Sequence, residues 1–284
     1  MAKKVYDKPK MVPVPSRSII PERAANKSPI LECSHLGIDF GGLTAVDSFN
    51  ITIGPTEISG LIGPNGAGKT TIFNLLTGVY QPTRGSVLIN GIDIKGMPIH
   101  KVNKLGIART FQNIRLFNNM TVIRNVLVGL HNQPEFKCSM IESMLRLPRH
   151  FSCEKRMRER AKEILRIVGL EEERNMLSCN LPYGKQRKLE IARALATNPK
   201  ILLLDEPVTG LDPHVTTELY GQIYHLNKMD GITVIMISHD VAAALQYASH
   251  ILHIGKRMFF GTREEFLRSE VGKYFALMHG GGKL

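Results

Sequence analysis

Eight residues, Gly63 to Thr70, restrict the possible fold of this chain more than any other segment. They read Gly-Pro-Asn-Gly-Ala-Gly-Lys-Thr, which matches the spacing GxxxxGK[ST]. Residues 57–62 before them have the pattern of a buried strand, and residues 70–76 after them that of an apolar helix. A glycine-rich loop in this position binds polyphosphate, because its backbone N–H groups and the helix N-terminus face the anion. The segment therefore predicts a P-loop within an α/β fold.

The side chains at the end of this loop have distinct predicted roles. Lys69 reaches the β- and γ-phosphates of a nucleotide, and the hydroxyl of Thr70 is a ligand for Mg²⁺. A nucleoside triphosphate and Mg²⁺ are therefore the expected cofactors. The predicted nucleotide-binding residues of the loop are Gly63, Pro64, Asn65, Gly66, Ala67, Gly68, Lys69, Thr70 and Thr71.

Polar side chains also follow two later apolar segments. Residues 201–204 have the pattern of a buried strand, and Asp205 and Glu206 follow it directly. Residues 233–237 have the pattern of a second buried strand, and His239 lies just beyond it. Because ligands bind at the carboxyl ends of parallel strands, these side chains are predicted to lie near the P-loop. We expect Asp205 in the Mg²⁺ shell, Glu206 as general base for the attacking water, and His239 as a hydrogen-bond partner of the γ-phosphate.

The remaining pattern predicts how the chain is organised around this site. Short apolar runs between residues 30 and 53 indicate small antiparallel strands, and helical periodicity from about 111 to 182 indicates a helical insertion. Strands that alternate with helices after residue 183 predict a mostly parallel sheet. We therefore expect an α/β fold over residues 31–284, with a P-loop NTPase core, an antiparallel β subdomain and a helical subdomain.

Composition and charge exclude several other kinds of protein. With 43% hydrophobic and 22% charged residues, the 284-residue chain is typical of a folded globular protein. Its apolar runs are shorter than the roughly 18 residues of a membrane span, and no secretory signal is recognisable, so a cytoplasmic location is expected. The net charge of +12 is concentrated in residues 1–30, a flexible basic extension, and in residues 131–168. A solvated tail and helix surface are the favoured interpretation; anionic lipid or a partner is the alternative.

Cysteine and histidine spacing gives no sign of a transition-metal site. No CxxC pair occurs, and the ten histidines include no HExxH motif. We expect reduced, structural thiols at Cys33, Cys138, Cys153 and Cys179.

The order of these motifs resembles that of the ATP-binding subunits of ABC transporters, from about Ile30 to the C-terminus. Arg109-Thr110-Phe111-Gln112 is similar to the Q-loop of that family, residues 181–186 to its signature motif, and Leu211-Asp212 to its D-loop. Phe40 resembles the aromatic residue that stacks on adenine, and His239 the switch histidine. The resemblance implies an ABC ATPase-like fold and ATP as the nucleotide.

The same resemblance implies a set of site residues. The catalytic residues would be Glu206, His239, Gln112 and Lys69, and the metal ligands Thr70, Gln112 and Asp205. Beyond the P-loop, the ATP contacts would come from Phe40, Tyr183, Gly184, Gln186 and Asp212.

The signature segment departs from the common LSGGQ, because Pro182 and Tyr183 replace its Ser and first Gly. Pro182 lacks the hydroxyl that would contact the γ-phosphate bound to the opposite subunit, whereas the N–H of Gly184 and the helix N-terminus remain available. Four features resemble the subfamily that serves branched-chain amino acid uptake. They are the LxYGxQR form of this segment, residues 40–43, residues 109–117 and the helical insertion.

The family resemblance also implies partners. They are a second ATP-binding subunit in a head-to-tail dimer, membrane-spanning permease subunits and, indirectly, a substrate-binding protein. The chain would then be peripheral on the inner face of the cell membrane, and no nucleic acid is expected. The second subunit is either a copy of this chain or a related protein, and the altered signature favours an unequal pair.

Two other functions are weaker interpretations. Residues 227–230 spell NKxD, the guanine-reading motif of P-loop GTPases, but they follow a predicted helix and not a strand, and Asp205 is not followed by a DxxG pattern. A soluble ABC-type ATPase acting on nucleic acid or ribosomes would suit the basic charge. Such proteins usually carry two cassettes or a long coiled coil, and this sequence shows neither.

Overall fold

A computed structural model describes residues 28–131, 133–136, 148–238, 241–255 and 258–278. The strands are β1 (Leu31–Phe40), β2 (Leu43–Ile53), β3 (Ile58–Ile62), β4 (Arg84–Ile89), β5 (Ile92–Asp93), β6 (Ile107–Arg109), β7 (Ile201–Asp205), β8 (Thr233–Ile237), β9 (His250–His253) and β10 (Phe259–Thr262). The helices are α1 (Lys69–Leu76), α2 (Ile99–Lys104), α3 (Val122–Leu130), α4 (Pro148–Ile167), α5 (Tyr183–Leu195), α6 (Pro213–Asp230), α7 (Val241–Tyr247), α8 (Arg263–Arg268) and α9 (Glu270–Met278). Short 3-10 turns occur at Pro134–Phe136 and Ser178–Asn180.

Two sheets form the framework. The larger has the strand order β10-β9-β3-β8-β7-β6, in which only the β10–β9 pair is antiparallel. The smaller has the order β2-β1-β4-β5, with antiparallel pairing throughout. The middle strands β3, β7 and β8 are buried at every position, which explains their almost continuous apolar sequence. The predicted α/β architecture, with a parallel and an antiparallel sheet, is confirmed.

Both faces of the large sheet are covered. Side chains alternate between the two faces of a strand, so Leu202 and Leu204 of β7 join a core with helices α3 to α7, whereas Leu203 joins a second core. That second core contains α1 and the inner face of the small sheet. The large sheet is therefore clamped between helices on one side and the antiparallel sheet on the other, which leaves its strand ends free to carry the site.

Helices account for most of the described residues between 122 and 180. The sequence pattern suggested that Leu147-Pro148-Arg149 would interrupt a helical region, and α4 begins at Pro148, because proline is tolerated in the first turn of a helix. The predicted limits of the insertion, and the boundary at residue 30, stay predictions. Residues 1–27 of the predicted extension lie outside the described part of the chain.

Two smaller expectations concern the thiols and the membrane. Cys33 and Cys153 are buried and Cys179 is exposed, and all three are free thiols as expected; Cys138 lies outside the described residues. Within the described residues, no helix combines the length and the apolar character that crossing a bilayer requires.

Candidate nucleotide site

The P-loop connects the end of β3 to the start of α1. Gly68, the residue before α1, has a φ of 85°, and a Cβ atom there would lie 2.8 Å from the carbonyl oxygen of Ala45. Glycine is therefore required both by the backbone conformation and by the close approach of β2. Among the described residues no side chain caps α1, so its first N–H groups remain available to an anion.

Lys69 is folded back over this loop. Its Nζ donates to the carbonyl oxygens of Gly63, at 2.7 Å, and Pro64, at 2.8 Å, and only 7% of the residue is exposed. Burial lowers the pKa of Lys69, and the negative charges of Glu206 and Asp205 oppose this shift. The structure thus brings the predicted lysine close to both predicted carboxylates.

The other P-loop residues are more accessible. Thr70 is exposed at the start of α1 and Thr71 is half-buried beside it. The outer part of the loop is also exposed, namely Pro64, Asn65 and Gly66. This arrangement leaves the hydroxyl of Thr70 accessible from the surface.

Asp205 closes β7 and is almost completely buried. Its Oδ2 accepts a hydrogen bond of 2.7 Å from Nη2 of Arg109, which stands at the end of the neighbouring strand β6. The other side of the guanidinium donates to Oδ1 of Asn74 on α1, at 2.5 Å. Oδ1 of Asp205 has no hydrogen-bond partner among the described residues. Arg109 and Asn74 thus orient the predicted metal ligand, a role that the sequence analysis did not assign to them.

Glu206 directly follows Asp205 and has an unusual backbone conformation. Its φ is 49°, in the left-handed region, which costs a non-glycine residue about 1–3 kcal/mol. Its Oε2 accepts hydrogen bonds from Nε2 of Gln112, at 3.1 Å, and from the hydroxyl of Thr209, at 3.2 Å. The structure therefore brings together Gln112 and Glu206, which are 94 residues apart in the chain.

His239 cannot be placed in the same way, because it lies outside the described residues. The strand before it, β8, lies between β3 and β7 in the large sheet, and the N–H of Ser238 donates to the carbonyl oxygen of Leu61 at 3.2 Å. Ser238, the last described residue before His239, therefore lies beside β3, and the role of His239 stays a prediction.

Residues 183–186 of the signature segment form the first turn of α5, next to Leu211 of the D-loop. Tyr183 is 46% exposed, and Nε2 of Gln186 donates back to the carbonyl oxygen of Leu181 at 2.8 Å. A Cβ atom on Gly184 would lie 2.9 Å from Cγ1 of Val215, whose own N–H is capped by Asp212. The described structure records no hydrogen bond from the predicted signature residues to the P-loop of the same chain.

One buried residue of α5 was missed by the sequence analysis as a site residue. The guanidinium of Arg187 donates to the carbonyl oxygens of Phe111, at 2.6 Å, and Gln112, at 2.7 Å, and pairs with Glu190 at 2.9 Å. Burial raises the pKa of Glu190, and the N–H of Phe111 and the charge of Arg187 oppose this shift. In the sequence, Arg187 stands out only as the last residue of the LxYGxQR pattern, three residues before Glu190, and this pattern does not place it against the Q-loop.

Phe40 lies at the end of β1 and is 44% exposed. Its ring meets the ring of Tyr80 edge to face, with centroids 5.3 Å apart. Tyr80 follows α1 and was not predicted to belong to the site. An exposed ring supported from its edge is suited to stacking on a planar base. The adenine contact of Phe40 stays a prediction.

The NKxD segment has a structural role. Asn227 is 2% exposed, and its Nδ2 donates to the carbonyl oxygens of Thr56, at 3.1 Å, and Ile232, at 2.8 Å. These bonds fix the turn between α6 and β8. The amide that would have to read a guanine base is therefore occupied inside the protein.

Comparison with known proteins agrees with this geometry. Residues 46–209 match the ABC transporter family. The chain is 42% identical over 239 residues to the high-affinity branched-chain amino acid transport ATP-binding protein BraF of Pseudomonas aeruginosa, covering 84% of this chain and 93% of that protein. It is 41% identical, with the same coverage, to the corresponding protein LivG of Escherichia coli K12.

Solved structures give the same result. A nucleotide-free ATP-binding cassette from an ABC transporter superposes with a TM-score of 0.72 at 30% identity, over 84% of this chain and 93% of that one. A cassette in its ADP conformation gives 0.75 at 28% identity, over 90% and 100% of the two chains. The family resemblance, the fold and the binding of ATP that the sequence predicted are thereby confirmed. The chain belongs to the ABC transporter family, as one of its ATP-hydrolysing cassettes.

Proposed function

We propose that this chain is the ATP-hydrolysing subunit of an importer of branched-chain amino acids, attached to the inner face of the cell membrane. The observation that carries the proposal is the 42% identity with a branched-chain amino acid transport protein over 84% of the chain, which extends far beyond the P-loop. The relatives named above are transport proteins, so this function is favoured over an ATPase acting on nucleic acid or ribosomes.

The site geometry supports specific roles in hydrolysis. Lys69 would exchange its bonds to the loop carbonyls for the phosphates, whose charge is also favoured by the N-terminus of α1. Glu206 would accept a proton from the attacking water, while the amide of Gln112 holds the carboxylate in position. His239 is proposed as a hydrogen-bond donor to the γ-phosphate, and Phe40 as the surface for adenine.

The residues at the end of β7 fit a divalent cation. Oδ1 of Asp205 is buried and has no partner among the described residues, as expected of an oxygen that completes its contacts only with a cation or its water. Thr70 is exposed, and its hydroxyl and the side-chain oxygen of Gln112 would be the other two ligands. All three ligand atoms are oxygens, which Mg²⁺ prefers. When bound, Mg²⁺ would neutralise charge on the phosphate oxygens.

The same proposal includes a second cassette and membrane partners. Tyr183 and Gly184 stand at an open helix N-terminus and make no hydrogen bond to their own P-loop in the described structure, which suits contact with ATP held by another subunit. One similar solved structure, at 26% identity and a TM-score of 0.68, is a dimeric cassette bound to ADP and phosphate. We propose a head-to-tail pair, formed with a copy or a related chain, that acts on permease subunits served by a substrate-binding protein.

Replacing Glu206 by Gln tests this function. Loss of the general base is expected to lower kcat for ATP about 100- to 10,000-fold, while ATP binding is retained. In the source cells, the same variant should abolish uptake of labelled leucine, isoleucine and valine. Glu264→Gln, which changes an exposed carboxylate on α8, is the matched control and should change neither kcat nor amino acid uptake.

The outcomes separate the parts of the proposal. Retained turnover in Glu206→Gln would contradict the role of the general base. Lost turnover with unchanged uptake of all three amino acids would preserve the ATPase and reject the cargo.

A further inference from the structure

The helix that carries the signature segment contains a buried ion pair that the proposed function does not use. Arg187 and Glu190 lie one turn apart on α5, and their side chains are 0% and 2% exposed. We call them the Arg187–Glu190 pair. Two buried charges cost more to desolvate than two apolar side chains of the same size, so stability alone does not account for them.

The Arg187–Glu190 pair binds the main chain of the Q-loop and of Arg115, three residues beyond it. Nη1 of Arg187 donates to the carbonyl oxygen of Phe111, at 2.6 Å, and Nη2 donates to that of Gln112, at 2.7 Å. Oε1 of Glu190 accepts from the N–H groups of Phe111, at 3.2 Å, and Arg115, at 3.4 Å. Donors and acceptors of the Q-loop are therefore fixed to one rigid helix.

The hydrogen bonds continue beyond this contact in two directions, from Arg187 to the signature segment and from Gln112 to Glu206. Nη2 of Arg187 donates to the hydroxyl of Tyr183 in the signature segment, at 3.2 Å. On the other side, the side chain of Gln112, whose carbonyl oxygen Arg187 holds, donates to Glu206 at 3.1 Å. The signature segment is thus connected to the carboxylate of Glu206 through Arg187 and Gln112. Arg187 bonds to Tyr183 and to the main chain of Gln112, and the side chain of Gln112 bonds to Glu206.

We propose that the Arg187–Glu190 pair is a positioning element that sets where Gln112 holds Glu206, and that it makes this position depend on α5. A displacement of the signature segment would move the Q-loop main chain with it, because the fork of Arg187 grips two successive carbonyl groups. Arg187 does not touch the reacting atoms and acts only through Gln112. The inference rests on the proposed role of Glu206 as general base.

Two variants of the full-length chain test this proposal. Arg187→Lys keeps the charge beside Glu190 but cannot donate to both carbonyl groups with a planar fork. The double variant Arg187→Met with Glu190→Leu replaces the pair by apolar side chains of similar size, which is often neutral for folding. The matched control is Lys188→Met with Glu218→Leu. Lys188, at the next position of α5, forms a 2.6 Å ion pair with Glu218 on α6, and neither side chain has a recorded hydrogen bond to the Q-loop in the described structure.

The expected result is a loss of turnover without a loss of binding. In both Arg187 variants kcat should fall about 2- to 30-fold, as for other residues that act through a network, whereas KM for ATP and the melting temperature stay close to those of the wild type. Combined with Glu206→Gln, Arg187→Lys should have no further effect on kcat, since the residue that it positions is already absent. The control pair should leave kcat unchanged.

A second measurement does not depend on turnover. Hydrogen exchange of the backbone amides in residues 109–117 should become faster in both Arg187 variants, while exchange in the P-loop stays as in the wild type. If kcat and this exchange are both unchanged, or if the control pair lowers kcat equally, the proposal is overturned. Failure of the proposed function would instead show as full turnover in Glu206→Gln, and the exchange result would still report whether the pair holds the Q-loop.

Discussion

The P-loop and the junction between the Q-loop and α5 position their polar side chains over very different distances along the chain. Lys69 bonds to carbonyl groups five and six residues away, within its own loop. Arg187 bonds to carbonyl groups 75 and 76 residues away. One region is therefore organised by local backbone geometry, and the other exists only once the sheet and the helical region have come together.

The two regions also differ in how firmly their charges are held. The bonds of Lys69 go to neutral carbonyl groups near the surface, and a phosphate can replace them. In the second region the charged groups are buried and paired, and removing one partner leaves the other without compensation. We therefore expect changes in the P-loop to act on nucleotide binding, and changes that leave one charge of a buried pair uncompensated to act on stability.

The largest effect on stability is expected for Arg109→Met. This change leaves the buried carboxylate of Asp205 with neither oxygen paired within the described structure, which should lower the free energy of unfolding by about 3–5 kcal/mol. Urea denaturation of the wild type and the variant measures the difference. Adding Asp205→Asn to the variant should recover part of the loss, because the uncompensated charge is removed.

An exposed Arg–Asp pair provides the control for this experiment. Arg84 and Asp39 are 3.0 Å apart, but their side chains are 52% and 38% exposed. Arg84→Met should therefore lower the free energy of unfolding far less than Arg109→Met does. Equal losses at the two positions would mean that burial does not distinguish the pairs and that Asp205 is not held by Arg109.

The same contrast between local and distant contacts explains what the sequence could reveal. The spacing of the P-loop predicted its position between β3 and α1, because one short segment contains all the information. Asp205 and Glu206 were predicted from a general rule about the ends of parallel strands, without knowledge of which strands are neighbours. Their chemistry followed from residue type and from the end of a buried apolar run.

The missed residues depend on strand order and helix packing. Arg109 was recognised only as part of the Q-loop motif, and its bond to Asp205 requires that β6 lie beside β7. The sequence likewise gave no sign that α5 would bring Arg187 under the Q-loop. Pro148 is predicted to interrupt a helix, but in the structure it begins one. Proline disrupts the interior of a helix and is tolerated in its first turn, so the residue alone does not distinguish the two cases.

Two glycines extend the comparison at the level of the backbone. Gly68→Ala would place a Cβ atom 2.8 Å from the backbone oxygen of Ala45, at a residue whose φ is 85°. Because both obstacles lie in the backbone, the free energy of unfolding should fall by about 1–3 kcal/mol. At Gly184 the obstacle is a methyl group of Val215, which can move, so Gly184→Ala should cost less. Thermal unfolding of both variants measures the order, and a larger loss at Gly184 would contradict it.

The smallest expected effect concerns the charge of Lys69 and links the two regions. Burial lowers the pKa of Lys69, so its ammonium group is lost at a lower pH than that of an ordinary lysine with a pKa of 10.5. Nucleotide affinity should then decline as the pH rises, since only the charged form attracts the phosphates. Glu206 and Asp205 oppose this loss of charge, Glu206 most strongly.

Glu206→Gln should therefore move the decline in affinity to lower pH. Removing this carboxylate also reduces its repulsion of ATP, which strengthens binding at neutral pH, so the midpoint of the decline is diagnostic and the affinity itself is not. Titrations of a fluorescent ATP analogue between about pH 7 and pH 10 would measure it, with Lys69→Ala as the control that lacks this step and retains every other titrating group. A midpoint that stays in place or moves to higher pH would mean that Glu206 does not act on the charge of Lys69, and the P-loop would then titrate independently of the carboxylate that Gln112 holds.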